Sequence, residues 1–436
     1  MISIFTQVEQ AVIIAGGLGT RLSSISQDKP KILMSIGNTT ILDIQLEQIA
    51  KSGFKKVTFL LGNGANHIIQ TLEKKKKVNN FSLEIDWIVE SKILGTGGSI
   101  VHALDRLDPI FLVLYGDLVI NLDFADLAQK FQESSATFAC LVHPTNHMFD
   151  SDILQVDRNY KIKSVRFKGT KFSFPIRNLA NTGVYFFTKK AFKDFHGKKL
   201  DLDQDIIPTL INRGETGVAL RHNGFIKDVG TVARIEEVNK KLSMAKYLDR
   251  PRPVLFLDRD GVINRHVGNI TKSTQLYVFP AISALIKRFN EAGYLVLVVT
   301  NQPVLSRGEL TSEGLDQIHA SIDEQLTEHG AYIDDYFICP HHPDNGFFGE
   351  VSELKIVCEC RKPKIGLISQ SLMKYNLDFE HAIMLGDTWR DEELAATIGV
   401  TYYSVDRNAS SEDEIDALIE KIYPYEQWWK KYSLTN

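Results

Sequence analysis

Cysteine is scarce: the 436 residues hold four, Cys140, Cys339, Cys358 and Cys360, and three of them crowd beside histidines, a pattern that in a cytosolic chain favours metal binding over disulfides. Long apolar runs are missing as well. No stretch approaches the ~20 residues needed to cross a bilayer, so no membrane partner is expected. A surplus of positive charge is also absent. Fifty Lys and Arg face 54 Asp and Glu, a formal net charge of −4, which leaves no electrostatic footprint for nucleic acid or an anionic surface. The one dense basic run, Lys74 to Lys77, reads as a solvated helix end, with an anion contact as the alternative. The opening MISIFTQVEQ has neither the basic start nor the apolar core of a signal peptide, so a cytoplasmic location is expected. Internal repeats and low-complexity tracts are lacking too.

What is present is an ordinary globular composition, 44% hydrophobic and 24% charged, in a chain long enough for two domains. Apolar runs alternate with amphipathic segments, the pattern of parallel α/β sheets. In the first half, strands are expected at 11–15, 57–61, 110–114 and 183–187, with a helix over 41–52. The pattern restarts with strands at 254–257, 294–299 and 382–385 and a helix over 281–290. Between the halves lies YLDRPRP, residues 247–253, whose two prolines cannot continue a helix. The expected division is therefore 1–246, a linker over 247–253, and 254–436.

After the first strand comes Gly16-Gly17-Leu18-Gly19-Thr20-Arg21-Leu22. Three glycines in four residues let backbone N–H groups approach phosphates, and Arg21 adds a cationic fork. The segment is neither a Walker A nor a dinucleotide fingerprint, and by itself it also fits a tight strand–helix turn. Lys29-Pro30-Lys31, Glu90, Leu94-Gly95-Thr96-Gly97-Gly98, Tyr115-Gly116-Asp117, Asn181-Thr182-Gly183 and Asp228-Val229-Gly230-Thr231 follow in order. Together, over roughly 9–245, these resemble the sugar-1-phosphate nucleotidyltransferases, a family that includes the mannose-1-phosphate and heptose-1-phosphate guanylyltransferases. The resemblance implies a GT-A-like, doubly wound domain in which Gly16, Gly17, Gly19, Thr20 and Arg21 hold the nucleotide. It implies that Lys31 neutralises phosphate charge and that Asp117 and Asp228 hold Mg²⁺. Glu90, Gly95 and Asn181 would contact the sugar. Asp228 also fits a helix N-cap. Family members often carry a Glu-Lys pair before Asn-x-Gly. Here the segment is Arg166-Phe167-Lys168-Gly169-Thr170-Lys171, so either Lys168 or Lys171 is left for the sugar phosphate.

The strand at 254–257 runs into Asp258-Arg259-Asp260-Gly261-Val262. Two carboxylates at a strand's C-terminal end stand where open α/β sheets bind ligands. This D-x-D-G signature resembles the haloacid-dehalogenase-like phosphatases, a second Rossmann-like fold. The resemblance implies that Asp258 is the nucleophile, Asp260 the general acid and base, Thr300 and Lys362 the phosphoryl contacts, and Asn301 and Arg361 the substrate contacts. Asp258, Asp260 and Asp387 would hold Mg²⁺. Asp391 reads either as a brace or as a surface carboxylate. Cys339, Cys358 and Cys360 with His341 or His342 offer three thiolates and an imidazole, a closed set for structural Zn²⁺. By resemblance His341 is the ligand. The clip with Cys360-Arg361-Lys362-Pro363 resembles the heptose-1,7-bisphosphate 7-phosphatases over about 253–425, with histidinol-phosphate phosphatases as competitors. Thr388 stands where many heptose phosphatases carry lysine.

The two resemblances describe consecutive reactions: loss of the 7-phosphate, then nucleotidyl transfer to the heptose 1-phosphate. The expected partners are small molecules, with GTP favoured over ATP. A separate kinase would supply the bisphosphate. A mannose-type transferase joined to another phosphatase is the alternative. A scaffold with degenerate sites is disfavoured because Asp117, Asp228, Asp258, Asp260 and Asp387 are all present.

Overall fold

The structure, a computed structural model, describes residues 8–17, 29–78, 81–170, 174–197, 199–245, 250–406 and 412–433. It separates into two compact units. Unit 1 comprises Met1–Val142, Leu154–Arg166 and Asn181–Asp249, and unit 2 comprises His143–Ile153, Phe167–Ala180 and Arg250–Asn436.

Unit 1 is built on a sheet whose centre is parallel. Strand Gln10–Ile14 lies between Lys56–Leu61 and Ile110–Tyr115, and Ala180–Thr188 adds on antiparallel beyond Ile110–Tyr115. Ala11, Val12 and Ile13 are wholly buried, as expected when both faces of a parallel sheet are covered. Helix Ile41–Lys51 covers one face. Thr40 caps it by accepting from the Asp43 N–H at 3.2 Å. Its buried face holds one polar residue, Gln45, whose Nε2 donates to the carbonyls of Tyr115 (3.0 Å) and Leu118 (2.9 Å). That pins the bend carrying Asp117. The basic run Lys74 to Lys77 ends helix Ala65–Val78, where the helix dipole favours cations.

Unit 2 is a five-stranded parallel sheet in the spatial order Asp335–Cys339, Leu295–Asn301, Arg252–Leu257, Leu377–Gly386 and Thr401–Ser404. Val254 to Leu257 are wholly buried, each worth roughly 1.5–3 kcal/mol as an upper estimate. The chain order reverses beside this central strand, which places ligand chemistry at its C-terminal end. The strand starts at Arg252, inside the stretch expected as linker. Pro253 sits near its beginning, where a missing N–H is tolerated. Arg252 is itself buried, donating to the carbonyls of Gly293 (2.9 Å) and Tyr294 (3.2 Å).

The units are not two uninterrupted stretches of chain, because 143–153 and 167–180 belong to unit 2. Asp323, on helix Ser312–Glu328, is 2% exposed. It accepts from Arg177 Nε (2.8 Å), the Asn178 N–H (3.1 Å) and the Tyr336 hydroxyl (2.8 Å). Arg177 also lies 4.5 Å over the Tyr336 ring. Removing the cation strands a buried carboxylate, whereas removing the carboxylate leaves a partly exposed arginine that can turn to water. Arg177→Ala should therefore cost unit 2 about 3 kcal/mol in urea unfolding of the full chain, and Asp323→Asn clearly less. Equal costs would contradict the asymmetry.

Candidate active sites

In unit 1 the backbone brings two of the expected metal ligands together. Strand Phe225–Asp228 pairs antiparallel with Leu118–Asn121, setting Asp228 opposite Leu118, and the Val229 N–H donates to the Asp117 carbonyl at 2.9 Å. Each carboxylate already has a cation: Lys31 Nζ lies 2.9 Å from Asp117 Oδ2, and Arg234 pairs with Asp228. Thr231, not Asp228, serves the start of helix Val232–Ala245, accepting from the Arg234 N–H at 3.4 Å. Two hard oxygen donors flanked by cations fit a divalent ion and phosphate oxygens. Gly16 and Gly17 follow the first strand, Gly17 exposed. Leu18, Gly19, Thr20, Arg21, Leu22 and Lys171 lie outside the described residues. Lys168 is exposed and belongs to the segments of unit 2.

Glu90 is engaged within its own loop: it accepts from the Leu94 N–H (3.2 Å) and from the Ser99 hydroxyl. The glycines of 94–98 have a packing cause. Gly95 has φ +74°, and a Cβ there would lie 2.5 Å from the Leu200 carbonyl. That carbonyl accepts from the N–H groups of Gly97 (2.9 Å) and Gly98 (3.0 Å). Asn181 donates to Asp203, a residue the motifs did not single out, at 2.7 Å.

In unit 2 the expected residues converge. Asp258, at the end of the central strand, is 9% exposed and lies 3.0 Å from Lys362 Nζ. The same ammonium lies 2.5 Å from Asp391 Oδ1. Asp391 is wholly buried and also accepts from the Thr388 hydroxyl at 2.6 Å, so it braces the site. Oxygens of Asp258, Asp387 and Asp391 lie within 4.8 Å of one another, a donor set that suits a hard divalent cation. Gly261, at φ +87°, admits Asp387: a Cβ there would meet its Oδ2 at 2.3 Å.

Burial pushes the Asp260 carboxyl up, but Arg259, Gln302 and Asn264 outweigh it and hold the group below the usual carboxylate range. The contacts are Arg259 Nη2 (2.7 Å to Oδ2), Gln302 Nε2 (2.8 Å) and Asn264 Nδ2 (3.1 Å). As placed, Asp260 is ionised, and it must leave this fork to carry a proton. Gln302 also donates to Thr300 Oγ1 at 3.0 Å. Asn301 spends its amide on the Lys362 backbone, accepting from its N–H (3.0 Å) and donating to its carbonyl (3.2 Å). These two bonds fix the backbone from which the lysine projects. The sequence signal for Gln302 lay in Thr-Asn-Gln, but nothing there named its partner.

Cys339, His341, Cys358 and Cys360 also converge, with donor atoms within 4.8 Å of one another. Cys358 Sγ lies 3.5 Å from Cys339 Sγ and 3.4 Å from Cys360 Sγ, and His341 Nδ1 lies 3.1 Å from Cys360 Sγ. Thiolates about 2.3 Å from a tetrahedral ion would be ~3.8 Å apart, so the set fits a metal. His342 turns instead to Asp344, 3.2 Å away. The clip is tied at both ends to segments that flank Asp258 and Lys362. The Cys339 carbonyl accepts from the Gln302 N–H (2.8 Å), and Arg361 donates to the His341 carbonyl (3.3 Å).

Burial drives the Asp258 carboxyl from 3.8 up to about 7, with Lys362 pulling it down and Asp391, Asp387 and Asp260 pushing it further up. Its folded pKa is therefore above its unfolded one. The stability it contributes is present at low pH and is lost as pH rises through about 7. In Mg²⁺-free protein, Asp258→Asn should raise the Tm of unit 2 at pH 8, by roughly 2–4 °C per kcal/mol relieved, with the gain fading toward pH 4. A gain independent of pH would contradict this.

A match to the nucleotidyl transferase family spans residues 10–244, more than half of the chain, and a match to the HAD-hydrolase-like family spans 359–425. The D-glycero-beta-D-manno-heptose-1,7-bisphosphate 7-phosphatase of Rhodopseudomonas palustris is 32% identical over 171 residues, 39% of this chain and 90% of that protein. The enzyme of the same name from Yersinia pestis is 34% identical over 149 residues, 34% of this chain and 77% of that protein. The crystal structure of HddC from Yersinia pseudotuberculosis is 27% identical and aligns with 54% of this chain and 100% of its own, at a TM-score of 0.46. Among the described residues no helix is long and apolar enough to cross a membrane. With one match over more than half its length and relatives matched over most of theirs, the chain belongs to the nucleotidyl transferase family and to the HAD-like phosphatases, and is an enzyme of both activities.

Proposed function

We propose that the chain carries out two consecutive steps of nucleotide-activated heptose synthesis in the cytoplasm. Residues 254–436 remove the 7-phosphate from a heptose 1,7-bisphosphate supplied by a separate kinase. Residues 1–246 then transfer a nucleotidyl group, GMP from GTP, to the heptose 1-phosphate and release pyrophosphate. The observation that carries this reading is the buried chain Asp258–Lys362–Asp391, at 3.0 and 2.5 Å, in a protein whose relatives are named as 7-phosphatases. The choice of GTP follows the guanylyltransferase resemblance of the N-terminal motifs.

In the phosphatase step an Asp258 oxygen attacks phosphorus, and the C7 oxygen leaves with a proton from Asp260. Water then attacks the aspartyl phosphate, and Asp260 takes up its proton. The Thr300 hydroxyl donates to the phosphoryl oxygens, the Lys362 ammonium neutralises their charge, and Arg361 holds the distal anionic group. In the transfer step the sugar-phosphate oxygen attacks the α-phosphorus of the triphosphate. Lys31 and Arg21 neutralise charge there, the loop Gly16 to Arg21 seats the nucleotide, and Asn181 contacts the sugar, with Gly95 and the Glu90 carboxylate, braced by Leu94 and Ser99, beside it. Mg²⁺ held by Asp258, the Asp260 backbone carbonyl and Asp387, and by Asp117 and Asp228, would supply charge neutralisation at phosphate oxygens. Cys339, His341, Cys358 and Cys360 would hold a Zn²⁺ that serves structure rather than chemistry.

The test is kcat/KM for heptose 1,7-bisphosphate, heptose 7-phosphate and histidinol phosphate on one preparation. The bisphosphate should lead heptose 7-phosphate about tenfold or more, since a charge-assisted contact is worth roughly 1.5–3 kcal/mol. A preference for histidinol phosphate would overturn the heptose assignment. The same preparation should hold one zinc per chain. Cys358→Ser should lose that zinc and most phosphatase activity while keeping transfer. Full phosphatase activity without zinc would contradict the clip's role.

A further inference from the structure

Unit 1 contains a polar cluster centred on Asp203, in the short helical segment Leu202–Ile206. Its Oδ1 accepts from the Tyr185 hydroxyl (2.5 Å) and Asn181 Nδ2 (2.7 Å), and its Oδ2 accepts from the Tyr115 hydroxyl (2.7 Å). Asn181 Nδ2 donates its other hydrogen to the Tyr185 hydroxyl at 3.0 Å. The two tyrosine rings meet edge to face, 5.7 Å apart. Burial and the Asp203 charge hold both hydroxyls well above their usual range, so both stay donors.

An ionised carboxylate can only accept. Asn181 must therefore turn its nitrogen toward Asp203, and both amide hydrogens are used. Its Oδ1 faces the other way, with a single long contact from the Gly183 N–H at 3.4 Å. The mounting of Asp203 is equally specific. Asp201 accepts from the Asp203 N–H (2.9 Å), Thr96 Oγ1 accepts from the Leu202 N–H (2.8 Å), and the Leu200 carbonyl is held by Gly97 and Gly98. The glycine-rich segment 94–98 is thus the base on which Asp203 stands. Tyr115 runs directly into Gly116 and Asp117, so the same carboxylate fixes the amide at 181 and the strand end bearing Asp117.

We propose that Asp203 is a positioning residue of the nucleotidyl-transfer site: it orients Asn181 so that Oδ1 accepts a hydroxyl of the sugar 1-phosphate. This rests on the transferase reading above but not on which sugar is used. The assay therefore varies whichever of heptose, mannose and glucose 1-phosphate the wild-type full chain turns over fastest. A poor rate with heptose 1-phosphate would count against the sugar assignment and leave this inference intact.

Asp203→Asn lets either amide turn, so the KM for the sugar 1-phosphate should rise about tenfold while the KM for the triphosphate stays within about twofold. The exchange Asp203→Asn with Asn181→Asp restores one acceptor and one donor across the pair and should recover most of that loss. A folded Asp203→Asn protein with a wild-type sugar KM overturns the proposal, as does an equal rise in both KM values or an exchange that recovers nothing. If Asp203→Asn lowers Tm too far to assay, Tyr185→Phe removes one donor and should raise the sugar KM about threefold. An unchanged sugar KM in that variant would show the cluster to be structural only.

Discussion

A buried ammonium needs carboxylates, and carboxylates crowded together need an ammonium. Lys362, 2% exposed, meets that mutual demand between Asp258 and Asp391. Burial opposes its charge, but the two carboxylates outweigh it and raise its pKa. Much of the surrounding structure serves to hold this one group. Asn301 fixes its backbone, Thr388 fixes Asp391, and Gly261 leaves room for Asp387. The Cys/His cluster delivers the segment from which Lys362 projects, because Cys360 and Arg361 immediately precede it and Arg361 is tied to the His341 carbonyl. A metal there would act on catalysis through the chain path rather than by touching substrate.

Unit 1 solves a related problem with more open geometry. Asp117 and Asp228 sit next to one another through strand pairing, and each is matched by its own cation, Lys31 and Arg234. Such pairs are partly exposed and can be exchanged for a metal ion or for phosphate oxygens at modest cost. In unit 2 the corresponding charges are buried and must remain balanced, so there the same chemistry demands closer support.

The elements were largely legible, because burial on both sheet faces writes continuous apolar runs into the chain. The run 254–257 became Arg252–Leu257, and the helix expected over 281–290 became Pro280–Glu291. The D-x-D-G segment and the three cysteines were legible because their residues are close in sequence or unusual in type. Gln45, Asp203, Arg234 and Gln302 were not, since an ordinary polar residue takes its meaning from a partner brought near by folding. Asp203 meets Tyr115 across 88 positions, and Gln45 meets Leu118 across 73. The resemblance points Gly95 toward the sugar, yet a Cβ there would meet the Leu200 carbonyl. Nor does the pattern of apolar runs reveal that 143–153 and 167–180 join unit 2, since that depends on the pairing of Arg177 and Asn178 with Asp323.

The two-step account is tested most directly by phosphorus nuclear magnetic resonance on the full chain supplied with heptose 1,7-bisphosphate, GTP and Mg²⁺. The account predicts that the 7-phosphate signal falls first while inorganic phosphate appears and the anomeric phosphate persists. The diphosphate signals of a nucleotide sugar and free pyrophosphate should then grow in together. Nucleotide sugar formed with its 7-phosphate still attached, or inorganic phosphate drawn from the anomeric position, would contradict it.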